Sequence, residues 1–187
     1  MVMLEKVLFN EENNIKEDVA NLLVTAFPKD ERPPVDIFFF HNLSINKEST
    51  RLLAFYIENN FIGFTSLVFY KDICYLFFLA VSPTYRHQGY GSQILEMIKK
   101  DYSDYTILLA FEEVDPQYDN YEERKNRKAF YFNHGFKDNG FKSNEWGVIF
   151  ETAYIGKRKV TFIEYKEIFK IGFNVNPDKH LKEATNR

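Results

Sequence analysis

The feature that most constrains this chain is an apolar segment that runs through a glycine-containing loop into an amphipathic pattern. Residues 73–81 are almost continuously apolar, which is typical of a strand that is buried on both faces. Pro83 marks a turn after this strand, and the loop Arg86-His87-Gln88-Gly89-Tyr90-Gly91 follows. Apolar residues then recur at helical spacing, at Ile94, Leu95, Ile98 and Tyr102. We therefore predict a buried strand that passes through a tight turn into a helix.

The loop between this strand and this helix has the features of a phosphate site. Gly89 and Gly91 allow the backbone to turn tightly and to approach a ligand closely. The helix that follows offers unpaired N–H groups and the positive end of its dipole. Arg86 adds a charge that can bind two phosphate oxygens at once, and His87 is a further candidate for a phosphate contact. We expect the backbone N–H groups of residues 88–92 to face a ligand that carries phosphates.

The spacing of the glycines excludes two common nucleotide-binding loops. A dinucleotide fingerprint reads G-x-G-x-x-G, and a Walker loop reads G-x-x-x-x-G-K-[ST]. Here Gly91 is followed by Ser92-Gln93-Ile94, with neither a third glycine nor a lysine. A plain turn between a strand and a helix is the alternative to a phosphate site.

The composition favours one globular domain and excludes several classes of protein. The chain has 187 residues, of which 45% are hydrophobic, and its formal net charge is -3. Because it lacks a long basic block, we expect no nucleic-acid partner. No apolar stretch approaches the roughly 18 residues that span a membrane, and the first residues lack the pattern of a secretory signal. We therefore expect a cytoplasmic protein without a membrane span.

The single cysteine of the chain, Cys74, argues against disulfide and metal chemistry. One cysteine can form neither an internal disulfide nor a cysteine-rich zinc site. Its position inside the predicted strand at 73–81 indicates a small core residue rather than a reactive thiol. We expect no metal.

The remaining patterns predict a mixed α/β chain. In chain order we expect a strand at 2–9, a helix at 15–26, a short helix at 37–43, strands at 52–57, 61–69 and 73–81, a helix that reaches residue 102, a strand at 105–111, a helix at 121–134, strands at 136–141 and 146–155, and a helix from residue 162. Asp36 is a candidate cap for the short helix, Thr161 and Glu164 have the spacing of a capping box, and the polar tail from Asn174 is expected to fray. The crossover between 73 and 111 predicts one parallel pair of strands in a mostly antiparallel sheet.

The R-x-x-G-x-G motif of Arg86, Gly89 and Gly91, with Val81 five residues ahead, resembles that of the GCN5-related N-acetyltransferases (GNAT). The order of the predicted elements through Ile155 is also similar to that fold. The resemblance implies an α/β (α+β) domain with a mixed, mostly antiparallel sheet, a splayed parallel pair of strands and helices on both faces. It implies an N-acetyltransferase domain at 1–155, followed by an appended helix and polar tail at 156–187.

The resemblance also implies acetyl-CoA as the cosubstrate and a set of site residues. The cofactor-binding residues that it implies are Leu79, Val81, Arg86, His87, Gln88, Gly89, Tyr90, Gly91, Ser92 and Asn126, with a free backbone N–H near Val81 for the thioester oxygen. Tyr131, in the pattern Y-x-x-x-G-F with Gly135 and Phe136, corresponds to the proton donor for the thiolate. An F-P-x-x-E-R-x-P stretch at 27–34 is similar to the segment that forms the substrate groove in related members.

The general base is less clear from the resemblance. Many family members carry a glutamate on the strand ahead of the glycine loop, but the equivalent residue here is Tyr75. Others use a glutamate late in the following strand, where this chain has Glu112 and Glu113, and only one of the two can face the cleft because side chains alternate along a strand. We favour Glu112 as the base. The alternatives are Glu113, a water chain, or a solvated pair at the end of a strand.

The resemblance implies an acetyl-CoA-dependent N-acetyltransferase in which a primary amine attacks the thioester directly. The acceptor is a small amine or a lysine or N-terminal amine, and the sequence does not identify it. The alternative is a catalytically silent module of the same fold that binds acyl-CoA, which the missing strand glutamate motivates. A plain α/β interaction protein is a third possibility. The chain could act as a monomer or a homodimer.

Overall fold

The computed structural model describes residues 4–9, 15–27, 29, 32–40 and 48–184. These residues form eight strands, β1 (Glu5–Leu8), β2 (Thr50–Ile57), β3 (Asn60–Tyr70), β4 (Ile73–Val81), β5 (Thr106–Glu112), β6 (Lys137–Glu145), β7 (Val148–Ile155) and β8 (Leu181–Ala184). They also form six α-helices, α1 (Ile15–Ala26), α2 (Val35–Phe40), α3 (Tyr90–Asp101), α4 (Tyr121–Asn133), α5 (Phe162–Phe173) and α6 (Pro177–His180). The predicted parts at 2–3 and 41–43 lie outside the described residues, as do Pro28 and Glu31.

All eight strands belong to one sheet, in the order β1-β2-β3-β4-β5-β7-β6-β8. Neighbouring strands are antiparallel except for β4 and β5, which are parallel. The predicted mixed, mostly antiparallel sheet with one parallel pair is therefore confirmed. Of the helices in the described ranges, none is long and apolar enough to cross a membrane.

Helices cover both faces of the sheet, as predicted. On one face, Ile94, Leu95 and Ile98 of α3 pack with Leu109 of β5. On the other face, α1 packs over β2 to β4, and α5 packs over β4 and β5 beside Leu108. Because consecutive strand residues point to opposite faces, Leu108 and Leu109 contribute to separate cores.

The ends of two helices follow from local sequence. At the start of α5, the Thr161 side chain accepts a hydrogen bond from the Glu164 backbone N–H, and the Glu164 carboxylate accepts one from the Thr161 N–H. The predicted capping box is thus present. After α4, Gly135 has a φ of +90°, the left-handed conformation that favours glycine just beyond a helix.

The C-terminal third differs from the prediction in two respects. The β6 strand continues to Glu145, and the turn of the last hairpin lies at Trp146 and Gly147, which both have positive φ. The predicted fraying after Asn174 is wrong for the described part of the tail, because β8 pairs with the outer edge of β6 and buries Leu181. An unpaired strand edge offers hydrogen bonds that a following segment can take, and a polarity pattern does not reveal this. The C-terminal segment therefore packs on the sheet of its own chain.

The parallel strands β4 and β5 separate towards their carboxyl ends. Their pairing runs from Ile73 with Thr106 to Leu76 with Leu109 and stops there, although β4 continues for five residues. On its other side, β4 has a bulge at Phe77, because Leu67 pairs with Leu76 whereas Ser66 pairs with Phe78. A bulge bends a strand and increases its twist. The predicted splayed pair is confirmed, and it opens a gap beside the start of α3.

Candidate active site

The glycine loop leaves the N-terminus of α3 without a side-chain cap. Gly89 is the N-cap residue and has a φ of +83°, which a residue with a Cβ atom rarely adopts. The first hydrogen bond of the helix runs from the Gln93 N–H to the Gly89 carbonyl, at 3.1 Å. The N–H groups of residues 90–92 therefore lie at the positive end of the helix without an acceptor inside it. The structure brings together the backbone groups that were predicted to bind phosphate.

The side chains of the loop are exposed around this helix end. Arg86 donates a hydrogen bond from Nε to the carbonyl oxygen of Val81, at 3.1 Å, which ties the loop to the end of β4. Gln88 donates to the carbonyl of Thr84, at 2.9 Å. His87 has a positive φ, +61°, and its side chain is exposed. The predicted loop residues thus surround one helix terminus, with the Arg86 guanidinium at its edge.

The end of β4 presents free backbone groups to the gap. The Ser82 N–H donates to the carbonyl of Ile62 on the β3 side, at 2.8 Å. Since the backbone groups of an antiparallel ladder alternate in direction, those of Leu79 and Val81 point away from β3 and into the gap, where the Val81 carbonyl accepts the hydrogen bond from Arg86. These are the two strand residues that were predicted to contact the cofactor.

Tyr131 lies on α4 at the same gap. Its side chain is 9% exposed and stacks on Phe111, with ring centroids 6.1 Å apart. Burial raises the pKa of the Tyr131 phenol, and the nearby Arg127 partly offsets this shift. None of the described residues forms a hydrogen bond with its hydroxyl group. A buried phenol of this kind stays protonated and can donate its proton.

A cavity of about 510 Å³ extends from Tyr131 across the face of β4 that α1 and α5 cover. It is lined by Leu79 and Phe111 at one end, and by the predicted groove residues Phe27, Arg32 and Pro34 at the other. Its volume lies in the range of sites for small molecules. The gap between the strands thus lies between a helix terminus suited to phosphate and a partly open space for a second ligand.

The sequence of this region matches a known family profile. Residues 48–138 match the profile of the acetyltransferase (GNAT) domain. This match covers just under half of the 187 residues of the chain. The profile covers the strands on both sides of the gap, the glycine loop, α3 and α4. It ends before most of β6, all of β7 and the C-terminal helices. No curated protein matches the chain in sequence.

Solved GNAT structures share the fold of the chain. A GNAT-family acetyltransferase from Bacteroides thetaiotaomicron has a TM-score of 0.74 and 18% sequence identity, covering 91% of this chain and 99% of that chain. An aminoglycoside 6′-N-acetyltransferase in complex with coenzyme A has a TM-score of 0.61 and 19% identity, covering 84% and 98%. The ribosomal-protein-S18-alanine N-acetyltransferase from Escherichia coli has a TM-score of 0.63 and 15% identity, covering 85% and 97%. The last two act on different acceptors, so the GNAT fold by itself does not identify an acceptor.

In the structure, Glu112, the predicted base, is buried between two arginine side chains. Glu112 is 2% exposed, and its carboxylate forms ion pairs with Arg124, at 3.3 Å, and with Arg127. Asn120 donates a weak hydrogen bond to it, at 3.4 Å. Glu112 lines a second cavity of about 280 Å³ near the end of α1, not the one that contains Tyr131. Both oxygens have cationic partners, so the geometry gives the predicted base no support.

The basic residues of α4 are all paired within the protein. Arg124 stacks over the ring of Tyr118, with its guanidinium carbon 3.8 Å from the centroid, and bonds to the Glu113 carbonyl. Lys125 pairs with Glu122, and Lys128 pairs with Glu151. Asn126 is exposed, and no described residue hydrogen-bonds to it, so its cofactor contact stays a prediction. The contacts of Arg124 and Lys128 attach α4 to the end of β5 and to β7.

Sequence reasoning missed a second buried carboxylate, Glu145, at the end of β6. Glu145 is 6% exposed and lines the larger cavity together with Tyr131. Its Oε1 accepts hydrogen bonds from the hydroxyl groups of Ser143 and Tyr165, the latter at 2.6 Å. The Tyr165 hydroxyl in turn lies 3.0 Å from that of Tyr75. The one sequence signal was Tyr75 itself, since a tyrosine on a buried strand needs a polar partner.

Proposed function

We propose that the protein transfers the acetyl group of acetyl-CoA to a primary amine, which attacks the thioester directly. The observation that carries this proposal is the gap between β4 and β5, which joins the uncapped N-terminus of α3 to the hydroxyl group of Tyr131. The GNAT profile at 48–138 supports it. So does the coenzyme A that is bound to an aminoglycoside N-acetyltransferase of the same fold.

The residues around the gap fit acetyl-CoA. The free N–H groups at the start of α3 and the Arg86 guanidinium suit a negatively charged pyrophosphate. The outward backbone groups of Leu79 and the Val81 N–H can pair with the amides of an extended pantetheine chain, as a sheet edge pairs with an added strand. A Val81 N–H that faces the gap can also stabilise the thioester oxygen when that oxygen becomes negative.

Tyr131 supplies the proton that the reaction requires. The amine lone pair attacks the carbonyl carbon, the C–S bond breaks, and the departing thiolate takes the phenolic proton of Tyr131. The phenolate then recovers a proton from the nitrogen atom, which has become part of an amide. Overall, a neutral amine and a thioester are converted into an amide and a thiol. The raised pKa of Tyr131 keeps the proton in place until the thiolate forms.

The variant Tyr131→Phe tests this assignment. We expect it to bind coenzyme A normally and to lower turnover by about 10²-fold or more, as is usual for the loss of a general acid. The matched control is Tyr121→Phe, on the first turn of the same helix, which we expect to retain full activity. Release of free thiol from acetyl-CoA in the presence of amines measures turnover. An unchanged rate in Tyr131→Phe would exclude the role.

The silent acyl-CoA-binding module is tested by the same thiol assay. It predicts cofactor binding without amine-dependent turnover, whereas our proposal predicts turnover above the hydrolysis of acetyl-CoA.

Calorimetric titration with coenzyme A tests the glycine loop. We expect Gly89→Val to abolish binding, because a β-branched residue cannot adopt the left-handed conformation of Gly89 without strain. Arg86→Ala should weaken binding. If wild-type protein binds no coenzyme A, the loop is only a turn.

A further inference from the structure

Three side chains from distant parts of the chain form one hydrogen-bonded row behind the larger cavity. Tyr165 donates to Glu145, so the proton between the two phenols belongs to Tyr75, which donates to Tyr165. Tyr75 lies on β4, Glu145 ends β6, and Tyr165 lies on α5. The row begins on β4 at the position where the family resemblance places a glutamate. It ends on a carboxylate that another strand supplies.

The second oxygen of Glu145 is available to a ligand. Both hydroxyl donors bind to Oε1, and no other part of the described chain donates to Oε2 or forms an ion pair with Glu145. Oε2 is also not among the fully buried polar atoms without a partner. The side chain lines the cavity that Tyr131 lines as well. A ligand in this cavity can therefore reach Oε2 of Glu145, while the hydroxyl groups of Ser143 and Tyr165 hold Oε1 in place.

The walls of the cavity around Glu145 are mostly aromatic. The rings of Phe77, Trp146, Phe150, Phe169 and Phe173 line it. Of the described residues that line this cavity, Glu145 is the only one with a carboxylate, whereas Lys29, Arg32 and Arg127 are cationic. A ligand with several positive charges would find one anionic partner and three cationic side chains here. A ligand with one positive charge and an apolar body fits both the rings and the carboxylate.

We propose that Glu145 receives the ammonium group of the acceptor and removes its proton, and that the acceptor is a monoamine with an apolar body. This inference rests on the proposed acetyl transfer. It also gives the C-terminal helix a role, because Tyr165 of α5 orients the carboxylate and lies beyond the segment that the GNAT profile covers. Tyr165 is thus a positioning residue, and Glu145 contacts the substrate.

The proton transfer balances as follows. An alkylammonium ion enters the cavity, forms an ion pair with the ionised Glu145, and transfers one proton to Oε2. The neutral amine attacks the thioester, and the protonated Glu145 later releases its proton to solvent. Burial raises the pKa of Glu145 to about 7, and the hydrogen bonds from Ser143 and Tyr165 oppose this shift. A base with a pKa near the working pH is well suited to this transfer.

Other titratable groups also face this site. Tyr75 and Tyr165 are fully buried, and their pKa values are raised well above the usual value for tyrosine. Tyr131 and Arg127 line the same cavity, and Lys29 and Arg32 lie on the α1–α2 side. On the other side of the β6–β7 turn, His180 stacks on Trp146 with ring centroids 5.1 Å apart. Glu145 is the one carboxylate among these groups.

A panel of amines tests the acceptor class. We expect 2-phenylethylamine and hexylamine to be acetylated with a kcat/KM at least tenfold higher than spermidine or an aminoglycoside. Binding of 2-phenylethylamine to the protein saturated with coenzyme A, measured by calorimetry, provides a readout without turnover. Preference for the polycations would overturn the inference and leave the proposed function intact. Tight binding of 2-phenylethylamine without acetylation would instead refute the proposed function.

Variants of the hydrogen-bonded row test the carboxylate. We expect Glu145→Gln to lower kcat/KM for 2-phenylethylamine by about 10²-fold or more and to remove the acidic limb of its pH profile. The control Glu183→Gln changes an exposed carboxylate on the neighbouring strand and should match wild type. Tyr165→Phe and Ser143→Ala each remove one donor that lowers the pKa of Glu145, so the acidic limb should move to higher pH. A wild-type rate and pH profile in Glu145→Gln would overturn the inference.

Discussion

The molecule contains two buried carboxylates at strand ends, and their surroundings differ in one decisive respect. Glu112, at the end of β5, is held by the guanidinium groups of Arg124 and Arg127. Among the described residues, Glu145, at the end of β6, is held only by the hydroxyl groups of Ser143 and Tyr165. The two side chains are about equally buried, at 2% and 6% exposure. The two carboxylates therefore differ in the charge of their hydrogen-bonding partners and not in how deeply they are buried.

This difference shows how a buried carboxylate is assigned to structure or to chemistry. A carboxylate between two cations attaches its own element to the one that carries those cations, which here are β5 and α4. A carboxylate that accepts only neutral hydrogen bonds keeps a raised pKa, about 7 for Glu145, and can exchange a proton near neutral pH. We therefore expect replacement by glutamine to lower the free energy of unfolding at Glu112 and to raise it at Glu145 above neutral pH.

The largest effect should come from Glu112→Gln. Removing this charge leaves Arg124 and Arg127 without their buried partner, so the free energy of unfolding should fall by about 3 to 5 kcal/mol. Urea denaturation at pH 7.5 measures the change. The neighbouring Glu113, which pairs with the half-buried Lys142, provides the control, because Glu113→Gln should cost less than about 1 kcal/mol. If the two variants were equally stable, Glu112 would not be the structural carboxylate.

The second effect concerns Glu145→Gln and depends on pH. The folded pKa of Glu145 lies near 7, above its usual value of 4.5, so the folded state binds this proton more tightly than the unfolded state. The associated stability is fully present below pH 4.5 and is lost as the pH rises through 7. Relative to wild type, Glu145→Gln should therefore gain up to about 3 kcal/mol of stability between pH 4.5 and pH 8. Denaturation curves at both pH values, with Glu183→Gln as the control, test the sign. If Glu145→Gln were less stable than wild type at pH 8, the folded protein would favour the ionised form of Glu145, and the contrast with Glu112 would disappear.

The smallest effect should come from Tyr75→Phe. This substitution removes the phenol that donates to Tyr165 and leaves the bond between Tyr165 and Glu145 in place. We expect a loss of about 1 kcal/mol in the free energy of unfolding, the usual value for one buried hydrogen bond between neutral groups. The pH profile of acetyl transfer should move much less than in Tyr165→Phe. Equal shifts in the two variants would mean that the row acts as a single unit.

Much of the fold and of the cofactor end was predictable from local patterns. The strand at 73–81, the glycine loop and α3 are contiguous, so their spacing alone predicted N–H groups at 88–92 that face a ligand, and the structure leaves those of 90–92 without an acceptor in the helix. Thr161 and Glu164 predicted the start of α5. The edge strand β8 was missed, because its pairing depends on the free edge of β6 and not on the pattern at 181–184. Glu112 was favoured as the base for its place along the chain, which did not reveal the two arginines that pair with it.

The sequence by itself determined most of the strands and helices and the glycine loop at the end of the site where we propose that acetyl-CoA binds, because each of these depends on residues that are close together in the chain. Only the tertiary structure decided which carboxylate lies in the cavity with Tyr131. Tyr75 and Tyr165 meet across 90 positions of sequence, and Glu145 joins them from a third element. Such a row exists only after the sheet has assembled and α5 has packed on it, since no local pattern encodes contacts between distant segments. The physical reason is that the environment of a carboxylate, and with it the pKa, is a property of the packed structure.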